Sequence, residues 1–157
     1  MRVLVTYASH FGATRGIAER IAETLRAHGL EVDVVPVADV EEPIRYDAFV
    51  IGGTVHGGHW LKPATEFARL HAALLSERPV WLLSSGPIGE RYLHAEQPEP
   101  KEIDELRGLI RPRDHRTFAG AFDRSTADFS TMGILGRTVV KRFLPEGDFR
   151  DWPAIEA

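Results

Sequence analysis

The chain is 157 residues long, 43% hydrophobic and 27% charged, with a formal net charge of −4 and no cysteine. That length suits one domain, residues 1–157, with a core that needs no staples, and the lack of cysteine excludes a disulfide framework, a thiolate metal site and a thiol nucleophile. Nothing reads as an export signal or as an apolar run long enough to span a bilayer, so a cytoplasmic protein is expected, and so small a charge gives no reason to expect a nucleic-acid partner. The charge is unevenly placed: residues 1–105 carry 10 basic and 16 acidic side chains, residues 106–157 carry 9 and 7.

Val3-Leu4-Val5 opens the chain as a strand, a polar stretch runs to Thr14, and then Ile17, Ala18, Ile21, Ala22 and Leu25 repeat at helical spacing up to Gly29. Strand, hydroxyl-bearing loop and helix in that order set unpaired backbone N–H groups and the positive end of a helix dipole beside Ser9, Gly12 and Thr14. That is a phosphate cradle, although Ser9 and Thr14 also suit plain helix capping. The loop has neither the Gly-x-Gly-x-x-Gly of a dinucleotide fold nor the Gly-Lys-Ser/Thr of an NTPase loop, which leaves a mononucleotide held by hydroxyls and amides.

Val32, Val34 and Val35 read as a second strand, Pro36 to Arg45 as a connection, and Ala48 to Ile51 as a strand buried on both faces and closed by Gly52 and Gly53. A helix is expected from Pro63 to Leu75 with Phe67, Leu70 and Leu74 inward, then a strand at Val80 to Leu83. Gly86 to Pro100 reads as a long loop, Lys101 to Ile110 as a helix and Thr117 to Phe122 as a fifth strand. This alternation predicts an α/β fold, a three-layer, doubly wound, five-stranded parallel sheet of order 2-1-3-4-5.

Met132 to Leu144 forms an amphipathic pattern, with Met132, Leu135, Val139, Val140, Phe143 and Leu144 on one arc, Arg137 and Lys141 opposite and Arg142 at the flank. Two readings fit it: an ordinary helix packed on the sheet, or a helix that meets a membrane surface or lines a quinone pocket.

In open parallel sheets, ligands collect beyond the carboxyl ends of the strands, beside the point where strand order reverses. Three loops converge there: Ser9 to Thr14, Thr54 to Trp60 and Ser84 to Tyr92. The first contributes Ser9, His10, Phe11, Gly12, Ala13 and Thr14 as candidate binding residues. The second contributes Thr54, Val55, His56, Gly57, Gly58, His59 and Trp60, glycines for close backbone approach and rings for stacking. Ser85, Gly86, Pro87 and Gly89 of the third supply amides and small side chains. His10, His56 and His59 have no accompanying cysteine or convergent carboxylate, so no metal is expected, and no side chain is assigned as a catalytic acid, base or nucleophile.

Across these loops the chain resembles flavodoxins, and more closely the flavodoxin-like menaquinone-dependent protoporphyrinogen dehydrogenases of bacteria. The points of resemblance are the segment from Leu4 to Thr14, Val50-Ile51-Gly52-Gly53-Thr54 followed by Gly58-His59, Phe118-Ala119-Gly120-Ala121, and Asp151-Trp152. Ser9, Gly12 and Thr14 match the family's Ser/Thr-x-Thr-Gly-x-Thr phosphate loop, while Phe11 stands where a hydroxyl is usual. The resemblance covers most of the chain. It implies FMN as cofactor, with its phosphate in the first loop and its isoalloxazine between the other two. It further implies transfer of electrons from a hydrophobic donor such as protoporphyrinogen IX to a quinone, and the basic helix at 132–144 suits either the donor's propionates or peripheral contact with a membrane. Electron-carrier flavodoxins are usually far more acidic than this chain. A carrier role and a flavin-free domain on the same scaffold stand as alternatives. The chain reaches Ala157 just where a terminal helix should begin after Asp151, so either that helix is absent or Met132 to Leu144 covers the sheet in its place.

Overall fold

Val3, Val5 and Tyr7 alternate with Leu4 and Ala8 along the first strand, and both sets are buried, as they are in a strand with helices on either side. The computed structural model describes residues 1–88, 99–125, 127, 129–130 and 132–157. The parallel strands are β1 (Arg2–Ala8), β2 (Glu31–Pro36), β3 (Ala48–His56), β5 (Val80–Gly86) and β6 (Asp114–Ala119), while β4 (His59–Trp60) folds back antiparallel on β3. Their order, β2-β1-β3-β5-β6, is the doubly wound order read from the sequence.

Helix α1 (Ala13–Ala27) covers one face, where Ile17, Ala18 and Ala22 meet Val3, Val5, Val50, Leu83 and Phe118. The other face is covered by α2 (Lys62–Leu70), α3 (Ala72–Ser76) and α4 (Glu102–Ile110), which bury Phe67, Leu75, Ile103, Leu106 and Ile110 against Leu4, Phe49, Ile51 and Leu82. The expected helix from Pro63 to Leu75 is therefore two helices. They part at His71, and Leu70, expected to face inward, is 80% exposed at the break.

The fifth strand begins three residues earlier than expected, at Asp114, because Asp114 and Arg116 are exposed on an edge strand and disguise its start. It ends at Ala119, where the Gly120 N–H bonds the Pro87 carbonyl and the Phe149 N–H bonds the Gly120 carbonyl. Beyond it, β7 (Ala121–Phe122) pairs antiparallel with β8 (Gly147–Asp148), and the segment between them carries α5 (Ile134–Phe143). The chain then closes with α6 (Trp152–Glu156), capped by the Asp151 carboxylate, whose Ile155 is buried on the α1 face. Both readings of the C-terminal region are thereby corrected. A short terminal helix is present, and α5 does not cover the sheet: Ile134 and Leu135 are more than 80% exposed, and Val140 is its buried apolar residue among those described.

Candidate functional site

The register places the three loops side by side, for Ala8 lies opposite Gly53 across β1 and β3, and Thr54 lies opposite Ser85 across β3 and β5. Helix α1 starts at the end of β1 with Gly12 as N-cap in the left-handed region (φ 84°), no side chain bonding the cap and no acidic residue in the first turn. The Ser9 hydroxyl accepts from the Gly12 N–H at 3.0 Å and so closes the loop on itself. The positive end of a fifteen-residue helix thus stands without an acidic neighbour in its own first turn, which fits a phosphate group. Thr14 is fully buried, and its hydroxyl lies 2.7 Å from that of Thr54, whose own hydroxyl also bonds the Ala8 carbonyl at 3.4 Å. One hydroxyl pair ties the first loop to the second.

His10 and Gly12 are exposed, whereas Phe11 is half-buried. Its ring lies 5.2 Å from Phe122 and 5.9 Å from Phe129, inside the β7–β8 insertion. A cleft of about 520 Å³ opens beside the loop, lined by Phe11, Gly12, Ala13, Phe122, Asp148 and Arg150 among others. Two of its carboxylates face cations, for Arg150 holds Asp148 at 2.6 Å and keeps its carboxyl below the usual range, and Arg124 lies 3.8 Å from Glu146, while Asp123 accepts from the Ser125 N–H and hydroxyl. A more apolar groove, about 450 Å³, runs along the α1 face of the sheet, lined by Met1, Val50, Trp81, Leu83, Phe118 and Ile155 among others.

The second loop is a hairpin whose two central residues, Gly57 and Gly58, have φ of 60° and 80°, the backbone of a two-residue turn that side chains disfavour. His56 is exposed at its tip. His59 is tied through Nδ1 to Glu102 at 2.7 Å, and the same carboxylate accepts the Trp60 N–H at 3.0 Å. Burial pushes the Glu102 carboxyl up, but these hydrogen bonds together hold it below its ordinary value.

Trp60 is 3% exposed. A Cβ at Gly53 would stand 2.8 Å from the Trp60 ring, so the glycine makes room for an indole packed into the core. Trp60 Nε1 donates to Ser84 Oγ at 2.7 Å, Ser84 Oγ bonds His115 Nε2 at 2.8 Å, and His115 Nδ1 bonds Glu99 at 2.8 Å. Arg107 grips both Glu99 oxygens, and with His115 it lowers that carboxyl to about 2. Ser, His and Glu in line have the order of a hydrolytic relay, yet Ser84 is fully buried and already accepts from an indole. The line is a tie across β4, β5, β6 and α4 beneath the second and third loops. Its members are distant in sequence, and no local spacing signals them.

In the third loop Ser85 and Gly86 are buried at the end of β5 and the Pro87 carbonyl accepts from Gly120, while Gly89 and Tyr92 lie outside the described residues. Among the described residues, no group of three or more His, Cys, Asp or Glu side chains converges as metal ligands, and no helix is long and apolar enough to cross a membrane.

Comparison with known proteins agrees with this geometry. The family model described as a flavodoxin domain matches residues 4–141. Protoporphyrinogen IX dehydrogenase [quinone] of Escherichia coli (strain K12) is 36% identical over 81 residues, 50% of this chain and 45% of that protein, so the match spans less than half the length of this curated relative. Among solved structures, the two-electron reduced Megasphaera elsdenii flavodoxin superposes with a TM-score of 0.61 at 17% identity, covering 78% of this chain and 89% of that one. A flavodoxin from the domain Archaea superposes with a TM-score of 0.59 at 20% identity, covering 74% and 82%. With the family model matching well over half of its residues, the chain belongs to the flavodoxin family.

Proposed function

We propose that this chain binds FMN at the carboxyl ends of β1, β3 and β5 and passes electrons from a hydrophobic donor to a quinone. The observation that carries the first half is the uncapped start of α1, set beside the hydroxyls of Ser9, Thr14 and Thr54 at the point where strand order reverses. Ser9, His10, Phe11, Gly12, Ala13 and Thr14 form the phosphate loop in this reading, chiefly through backbone N–H groups. Thr54, Val55, His56, Gly57, Gly58 and His59 on one side, and Ser85, Gly86 and Pro87 on the other, flank the ring. Bound flavin supplies the electron-transfer chemistry. The protein's part is to hold it, to keep the two flanking loops in place through the His59–Glu102 and Trp60–Ser84 bonds, and to limit access of water.

The second half rests on two supports. The E. coli relative is by name a protoporphyrinogen IX dehydrogenase acting with quinone, and it matches half of this chain. The exposed Ile134, Leu135 and Val139 of α5 stand on a helix that carries Arg137, Lys141 and Arg142 and no acidic residue, a combination suited to an apolar, anionic partner such as a porphyrinogen or the surface of a quinone-bearing membrane.

Purified protein, denatured and analysed by mass spectrometry, should release FMN and neither FAD nor riboflavin, and the reloaded protein should reduce a soluble quinone when given protoporphyrinogen. Release of no flavin, with no quenching of added FMN, leaves a flavin-free domain. Flavin without quinone reduction leaves an electron carrier.

A further inference from the structure

Phe11 occupies a phosphate-loop position where its side chain makes no polar contact, and its ring joins a cluster that belongs to the β7–β8 insertion. Phe122 is 1% exposed at the end of β7 and meets Phe11 edge to face. Phe129 lies 5.9 Å from Phe11 and 6.4 Å from Phe122, and the Lys141 ammonium of α5 rides 5.0 Å over the Phe129 ring. A continuous line of packed groups therefore runs from the phosphate loop to α5. At the far end of α5 the Arg124 guanidinium donates to the Leu144 carbonyl at 3.2 Å. Among the described residues, Ile134, Leu135 and Val139 of α5 are exposed, Arg137 donates to the Met132 and Ser130 carbonyls of its own approach, and Val140 is its one buried apolar side chain.

We propose that the phosphate loop is the anchor of α5, so that a phosphate group held in the loop fixes the position of this helix. The proposal rests on the reading of the loop as the FMN phosphate site. Physically, an anion that draws the N–H groups of the α1 start onto itself narrows the loop's excursions between Ser9 and Gly12, and Phe11 lies between those two residues. A narrowed Phe11 holds Phe129, and Phe129 holds Lys141. The coupling is reciprocal: whatever apolar, anionic surface engages α5 must in turn tighten FMN.

Limited trypsin digestion reads the position of α5 through cleavage after Arg137, Lys141 and Arg142. Without ligand, Phe11→Ala should speed cleavage at these sites about fivefold, the shift that loss of one aromatic contact supports; an unchanged rate overturns the proposal. With ligand, FMN should slow cleavage in the wild-type protein while riboflavin, which lacks the phosphate, slows it far less. Phe129→Ala should still quench FMN fluorescence and should lose the protection. FMN bound without protection in the wild-type chain, or equal protection in Phe129→Ala, overturns the proposal while the FMN reading stands. No quenching by FMN at all overturns the FMN reading and the ligand-dependent coupling with it, and the ligand-free arm then decides whether the aromatic anchor exists.

Discussion

Replacing Thr14 by Val removes one hydroxyl from the phosphate loop and keeps the shape of a fully buried side chain. In the ligand-free protein Thr14 shares a 2.7 Å hydrogen bond with Thr54, so the variant loses one neutral bond, worth about 1 kcal/mol. A domain of this size should then melt about 2–4 °C lower. The effect on FMN is larger and separable. When a phosphate is present, the Thr14 O–H turns to it and the Thr54 O–H turns to Thr14, giving up only its 3.4 Å bond to the Ala8 carbonyl. The gain is one bond to a charged acceptor, about 1.5 kcal/mol after that small loss, or roughly tenfold in affinity. Fluorescence-quenching titrations should therefore show FMN about tenfold weaker in Thr14→Val and riboflavin unchanged. A parallel fall for both flavins refutes the reasoning, since it makes Thr14 a support of the ring or of the fold and not a phosphate ligand.

Ser84→Ala strands the buried Trp60 Nε1 and one nitrogen of His115, so urea denaturation should report a loss of about 1–3 kcal/mol, and a loss below about 0.5 kcal/mol would show the tie to be slack. Glu99 is held at about 2, below the ordinary carboxylate value of 4.5, so its stabilising contribution is complete above about 4.5 and is lost as pH falls through about 2. Melting temperatures of the wild type and Glu99→Gln should accordingly differ near neutrality and converge toward pH 2; a constant gap across that range contradicts the assignment. Replacing Arg137, Lys141 and Arg142 with Gln should weaken binding to phosphatidylglycerol vesicles by about 1 kcal/mol per cation and reduce its salt dependence, with unchanged binding leaving α5 no lipid role.

Local pattern carried most of the fold. The runs at Val3 to Val5 and Ala48 to Ile51 are buried on both faces, and the Ile17–Leu25 repeat is a helix, so alternation and handedness give a doubly wound sheet, and the flavodoxin-like order among those available is the one observed. The edge strand was harder. Asp114 and Arg116 read as loop because an edge needs apolar residues on fewer of its positions. Within the site, the cradle from Ser9 to Thr14 is a contiguous strand, turn and helix start, hence legible. The burial of Trp60 depends on Gly53 above it and Ser84 beside it, neither of which marks an indole as a core group in the sequence. The line through Ser84, His115 and Glu99, and the approach of Phe122 and Phe129 to Phe11, are tertiary facts between distant residues. They bring the insertion that carries α5 back against the first loop.

The central claim is that FMN binds at these strand ends, and a ¹H–¹⁵N correlation spectrum recorded during FMN titration tests it most directly. Shifts should saturate at one FMN per chain and concentrate in the amides of residues 10–14, 54–59, 85, 86 and 88, with the largest at Gly12, Ala13 and Thr14, the proposed phosphate loop. Shifts confined to Ile21, Leu25, Trp81 and Ile155, in the lining of the groove along the α1 face, or no shifts at saturating FMN, would contradict the account.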